Sequence, residues 1–371
     1  MQLTIFGLTL SSSWGNGHAT LWRGLVRALA RQGHRVTFFE RDVPYYAAHR
    51  DLDSLSDAEL VLYADWTLVA PRARRRLAQS DAAVITSYCP DAAAAAELMF
   101  DAPESLVRAY YDLDTPVTLA RLEAGEPVSY LPAASLEDFD LVLSYTGGAA
   151  LEALRQRLRA RRVAPLYGHV DPDVHRPVPA VDRFRADLSY LGTYAADRQR
   201  RLGELFLEPA RCRPAQRFVL GGASYPQDFP WCANMWFVRH ISPPEHAAFY
   251  SSSRLTLNVT RAEMAAMGHC PSGRLFEAAA CGTPLLTDEW EGLDQFFAPG
   301  REILTARSCS DAVRALDLED AQLARIARAA RERVLAEHSS ERRGHDLVAA
   351  LEAATRPAPA ADGGYVEPCG A

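Results

Sequence analysis

The chain runs twice through the same rhythm, a short apolar run followed by a helical stretch, and one proline-rich break separates the two series. Strands that alternate with helices form parallel sheets, because each crossover helix returns the chain to the end where the next strand must start. The first series opens with LTIFGL (3–8) and a polar loop, SSSWGNG. HATLWRGLVRALARQG then places apolar residues at helical spacing, and Gly33 supplies the stop. HRVTFFE (34–40), ELVLYAD, AAVITSY, RAYYDLD and DLVLSYT follow as further strands. The break is LYGHVDPDVHRPVPAVD, where Pro172, Pro177 and Pro179 bias their neighbours to extended backbone and prevent regular helix. The second series contains DLSYLGT, QRFVLGG, WFVRHI, RLTLNVT, TPLLTD and EILTA, with SGRLFEAAACG and 319–338 as helices.

This pattern predicts an α/β protein of two Rossmann-like domains that face each other across a cleft. The N-terminal domain spans 1–175, the C-terminal domain 176–352, and a Pro-, Ala- and Gly-rich tail over 353–371 is expected to be disordered. Ligands of open α/β sheets lie at the carboxyl ends of the strands, so the cleft is the expected site. The formal charge, 40 basic against 47 acidic residues for a net -7, argues against a nucleic-acid partner. Seven scattered cysteines without CxxC spacing suggest neither a zinc site nor a redox pair, and they fit a reducing compartment. No run approaches the ~18 apolar residues of a membrane span. The N-terminus lacks a basic region and a small-residue cleavage site, so a cytoplasmic protein is expected.

Three segments offer chemistry. In Trp14-Gly15-Asn16-Gly17-His18, glycines permit close backbone approach and a helix N-terminus offers free N–H groups. There a neutral His18 would serve as base or hydrogen-bond donor, or would simply cap the helix. In Tyr111-Asp112-Leu113-Asp114-Thr115-Pro116, strand alternation sends Asp112 and Asp114 to one face, where a carboxylate could accept a hydroxyl proton. Asp114 also reads as an N-cap before Pro116, whereas Asp112 is harder to explain that way. In Cys270-Pro271-Ser272-Gly273-Arg274-Leu275-Phe276-Glu277, Ser272 and Gly273 precede a helix, giving an anion site. Arg274 and Glu277 share a helix face, either as phosphate and ribose ligands or as a surface pair. Arg198 and Arg261 follow strands and could meet a diphosphate, although single arginines are more often solvated. His240 ends another strand, as a base-reading position or as a core or cap histidine.

Several of these stretches together resemble a known family. GNGHATLWRGLVRALARQGHRVTFFERDVPYY, YDLDTPVTLARL, LYGHVDPDVHRP, LSYLGTYAADRQ, LNVTRAEMAAMGHCPSGRLFEAAACGTPLLTDEWEGLDQFF and PGREIL span roughly residues 3–340 in order. They resemble the GT-B glycosyltransferases related to the spore-maturation protein CgeB, which are GT4-like in the C-terminal half. LYGHVD is similar to the segment that leads GT4-like chains into their second domain, and FEAAACGTP to their nucleotide-binding helix.

The resemblance implies a nucleotide-sugar donor site built from Arg198, Ser272, Arg274 and Glu277, closed by Asn16, Gly17 and His18. It implies transfer of a hexosyl unit to a small or polymeric acceptor, without metal or other cofactor. Gly273, His240 and Arg261 complete the expected donor site, Trp14 and Asp114 the acceptor site, and His18 and Asp112 the catalytic pair. One departure stands out. GT4-like retaining enzymes carry two glutamates eight positions apart; Glu277 matches the second, but His269 occupies the first. A nucleotide-sugar epimerase and a non-catalytic nucleotide-sugar binder of the same fold are the rival readings.

Overall fold

The computed structural model describes residues 1–52, 54–132 and 134–355. Two parallel sheets carry the fold, as the alternation requires. The first contains β1 (Gln2–Gly7), β2 (Arg35–Arg41), β3 (Glu59–Tyr63), β4 (Ala82–Thr86), β5 (Val107–Asp112), β6 (Leu141–Ser144) and β7 (Val163–Pro165), in the order β3-β2-β1-β4-β5-β6-β7. The second contains β8 (Leu188–Leu191), β9 (Phe218–Gly222), β10 (Met235–Arg239), β11 (Thr256–Asn258), β12 (Leu285–Asp288) and β13 (Leu304–Ala306), in the order β10-β9-β8-β11-β12-β13. The short strand β7, just before the proline-rich break, is the element that the apolar pattern did not announce.

Strands buried on both faces read as continuous apolar runs, and β1 shows why. Phe6 joins Phe39, Ile85 and Tyr110 in the core under one face, while Leu3 and Ile5 join Phe38, Val84 and Tyr111 under the other. Both sheets reverse their strand order once, between β1 and β4 and between β8 and β11. At such a switch point the loops leaving the two central strands diverge and open a crevice. The segments that leave β1, β4, β8 and β11 are therefore the ones that build the site.

The chain crosses between domains twice, and the two crossings lie side by side. Val170 N donates to His338 O at 3.0 Å and Ser340 N to Val170 O at 2.8 Å. The second crossing changes the expected domain boundary. The helix Ser340–Ala354 packs on the first domain, with Leu347 and Leu351 in the same core as Trp22, Leu25 and Leu29. Residues 340–352 thus belong structurally with 1–175, not with 176–352. An apolar helix face shows that it must be covered, but not which sheet covers it. Gly24 lets this helix approach the helix His18–Arg31: a Cβ there would lie 2.7 Å from Ser340 Oγ. Ala353 and Ala354 close the last helix, and the rest of the expected disordered tail, from residue 356, lies outside the described residues.

Candidate active site

Between the carboxyl ends of the two sheets lies a cavity of about 880 Å³. Of the expected catalytic, donor and acceptor residues, all but Trp14 and Asp112 line it.

The N-terminal wall is held by two acidic residues, the buried Glu40 and the exposed Asp51. Glu40, at the end of β2, accepts hydrogen bonds from Leu10 N (2.6 Å), Ser11 N (2.9 Å), Thr9 Oγ1 (2.9 Å) and Ser11 Oγ (2.5 Å). It thereby fixes the loop after β1. Asp51 takes Ser13 N and Arg23 Nη2, at 3.1 and 2.6 Å. Asn16 Oδ1 accepts from His18 N and Ala19 N, at 3.0 and 3.2 Å, so it caps the helix His18–Arg31. Gly17 faces open space, with nothing within 4 Å of where a Cβ would sit. A ligand can therefore approach the backbone here.

His18 and Asp114 meet in the cavity. His18 Nε2 lies 3.9 Å from Asp114 Oδ2, and His18 Nδ1 is buried without a hydrogen-bond partner. Tyr88, left-handed at φ 64°, packs edge-on against the His18 ring. Asp114 occupies the N-cap position of the helix Thr115–Glu123, yet its carboxylate makes no capping bond. A cap residue that leaves the backbone N–H groups uncapped is free for a ligand.

Asp112 corrects the sequence reading. The strand ends at Asp112, so the alternation that would have aligned it with Asp114 stops there. Asp112 is fully buried behind the wall, where its Oδ1 accepts from Asp114 N at 3.0 Å and its Oδ2 has no partner. Burial pushes its carboxyl up to about 6, against hydrogen bonding from Thr118. It positions the loop and does not reach an acceptor. Trp14 is likewise turned away from the cavity. It stacks on His49, with ring centroids 4.2 Å apart, and packs on His240 of the other domain at 4.3 Å. That contact bridges the domains at the cavity rim.

The C-terminal wall is cationic. Arg198 Nη1 donates to Tyr190 Oη at 3.2 Å, and its Nε is buried without a partner. Arg274 Nη1 donates to Leu191 O at 2.6 Å, and its Nε to Ser272 Oγ at 3.1 Å. Among the described residues neither guanidinium forms an ion pair. Burial, and then the neighbouring Arg274, hold Arg198 below its ordinary value. Arg261 differs, since its Nε pairs with Asp197 at 3.2 Å. The helix Gly273–Ala280 presents its N-terminus beside these arginines, and the Ser272 side chain makes no cap bond there. Two guanidiniums outside any ion pair, beside an uncapped helix N-terminus, form an anion site.

Glu277, one turn further along the same helix, faces two histidines. His246 Nδ1 is 3.6 Å from Glu277 Oε2 and His175 Nε2 is 4.0 Å away. Burial opposes the charge of Glu277, but His175 and His246 outweigh it and hold the carboxyl at about 2. His240, left-handed at φ 51°, closes this end of the cavity next to Ile241.

Comparison with known proteins places this geometry. Residues 198–349 match the glycosyl transferase-like family, and no curated protein matches the chain by sequence. The fold is shared with sucrose-phosphate synthase from Thermosynechococcus elongatus at a TM-score of 0.70 and 15% identity, covering 95% of this chain and 99% of that one. It is shared with Anabaena HepE in complex with UDP and glucose, at 0.66 and 13%, covering 95% and 100%. An α-glucosyltransferase in complex with UDP-glucose and DNA containing an abasic site gives 0.70 and 12%, covering 95% and 99%.

The chain has the GT-B fold of these glycosyltransferases.

The position of the first retaining-type glutamate has a structural occupant instead. His269, at φ 46°, sits with its ring against Gly148 of the first domain and Gly292 of the second, and does not line the cavity. Its carbonyl accepts from Gly147 N at 3.0 Å, so it ties the domains together. Sequence reasoning missed His175, His246 and Tyr88. His175 lay inside the proline-rich break, where its only visible signal was an acidic and proline-rich linker. His246 and Tyr88 come from segments with no motif at all, and only the folding of three elements onto Glu277 and His18 reveals them.

Proposed function

We propose that the protein transfers a hexosyl unit from a uridine diphosphate sugar to a hydroxyl of an acceptor held by the N-terminal domain, without a metal ion in the reaction. The observation that carries this reading is the pair Arg198 and Arg274, which face the cavity without forming an ion pair among the described residues. Two structural relatives hold UDP or UDP-glucose in the same fold. The donor diphosphate lies across Arg198, Arg274 and the Gly273 N-terminus, the ribose hydroxyls on Glu277, and the base against the backbone at His240–Ile241. Acceptor oxygen attacks the anomeric carbon and the bond from that carbon to the diphosphate breaks. The hydroxyl proton passes to the His18–Asp114 pair on the opposite wall. Charge that develops on the departing diphosphate meets arginine and helix dipole already in place, which lowers the barrier without reorganisation. The metal-free reading rests on this: the work that a divalent cation does for a diphosphate is available from fixed positive groups.

A thermal-shift screen of nucleoside diphosphates and their sugars tests the proposal. UDP at 100 times its dissociation constant should stabilise the fold by about 2.7 kcal/mol. Stabilisation of the wild type that falls to about 0.3–1.4 kcal/mol in Arg198→Ala at the same UDP concentration supports the reading. A chain that no nucleoside diphosphate stabilises would sink it.

A further inference from the structure

Three groups on the ribose side of the cavity have donor atoms that converge on one point. His175 comes from the interdomain crossing, His246 from the helix Pro243–Ser251 and Glu277 from the helix Gly273–Ala280. One atom from each lies within 4.8 Å of the others. Both ring nitrogens of buried His175 lack a hydrogen-bond partner, as does His246 Nδ1. A buried imidazole with neither nitrogen satisfied is costly unless something binds there.

We propose that His175, His246 and Glu277 form a site for a divalent transition metal of the zinc type, and that the ion and the sugar donor exclude each other. The exclusion rests on the reading above that Glu277 receives the ribose. Two imidazoles and one carboxylate with a fourth side open to a cavity are a donor set that suits Zn2+ and not Mg2+. Tetrahedral bonds of about 2.0–2.2 Å place neighbouring ligand atoms roughly 3.3–3.5 Å apart. The ligand atoms stand 3.6 and 4.0 Å from Glu277 Oε2 and within 4.8 Å of one another, so the side chains must draw together by up to about 1.4 Å on binding the ion. The second sphere is also in place. His246 Nε2 lies 3.2 Å from Ile241 O, which keeps the proton on Nε2 and leaves Nδ1 with its lone pair toward Glu277. Tyr250 Oη donates to Glu277 Oε2 at 3.5 Å. The ion takes no part in transfer. It occupies the carboxylate that the donor needs, and so it acts as an inhibitor.

The test measures Zn2+ binding to the full chain by calorimetry, with Co2+ absorption as a report on geometry, in the wild type, His175→Ala, His246→Ala and His246→Gln. Circular dichroism verifies that each variant is folded. The expected result is one ion per chain with tetrahedral Co2+ bands, weakened at least about tenfold in the variants, and weakened in the wild type by saturating UDP. No Zn2+ binding, or binding equally strong in all three variants, overturns the site while leaving the donor reading intact. Site-dependent Zn2+ binding that UDP leaves unchanged, in a chain that binds UDP, overturns the exclusion and the placement of ribose on Glu277.

Discussion

Replacing Arg198 with alanine separates function from folding. In the folded protein the guanidinium makes one charge-assisted hydrogen bond, Nη1 to Tyr190 Oη at 3.2 Å, and leaves Nε unpartnered. Such a bond contributes about 1.5–3 kcal/mol to stability. Against it stand the burial of a charge and the nearby Arg274, which together hold Arg198 below its ordinary value. The two contributions oppose each other, so Arg198→Ala should change the unfolding free energy by less than the about 1.5–3 kcal/mol of the bond alone. The donor feels the loss in full. A charge-assisted hydrogen bond contributes about 1.5–3 kcal/mol, which converts to a 10- to 150-fold weaker dissociation constant for UDP. Calorimetric titration with UDP and urea unfolding of the ligand-free protein measure the two sides independently. Unchanged UDP affinity would refute the placement of the diphosphate. A stability loss of several kcal/mol would refute the claim that this arginine is held ready for a ligand at the expense of the fold.

Asp114→Asn should lower kcat by about 10²–10⁴-fold with little change in UDP affinity, since it removes a proton acceptor and no donor contact; steady-state kinetics with an identified acceptor will show it. Asp112 gives a pH signature instead. Its folded value, about 6, stands above the ordinary carboxylate value of 3.8, so the fold favours its neutral form. The contribution is fully present below pH 3.8 and is lost as pH rises through about 6, with a total of about 3 kcal/mol. Urea unfolding across pH 4–7 should show that fall in the wild type and not in Asp112→Asn. At the crossing of the helices His18–Arg31 and Ser340–Ala354, Gly24→Val forces a side chain toward Ser340 Oγ and should cost about 1–3 kcal/mol in urea unfolding.

Much of the architecture was readable without coordinates. Apolar runs followed by helical spacing predict two parallel sheets because burial on both faces and crossover handedness leave few alternatives, and Pro172, Pro177 and Pro179 mark where one series ends. Glycine and a helix start at Asn16–His18 and Ser272–Arg274 likewise announce where phosphate and sugar can be met, since those properties are local to the backbone. What stayed hidden depends on distances between segments far apart in the chain. Asp112 and Asp114 differ only by where β5 ends, which decides that one is buried and the other faces the cavity. Trp14 looks like a ligand platform until His240 of the other domain is seen against it. The last helix has an apolar stripe that either sheet could cover, and only Leu347 and Leu351 beside Trp22 assign it to the first. Local patterns are set by neighbours in sequence and therefore survive in it. The convergence of His175, His246 and Glu277 is set by tertiary packing of three elements, and no spacing along the chain encodes it.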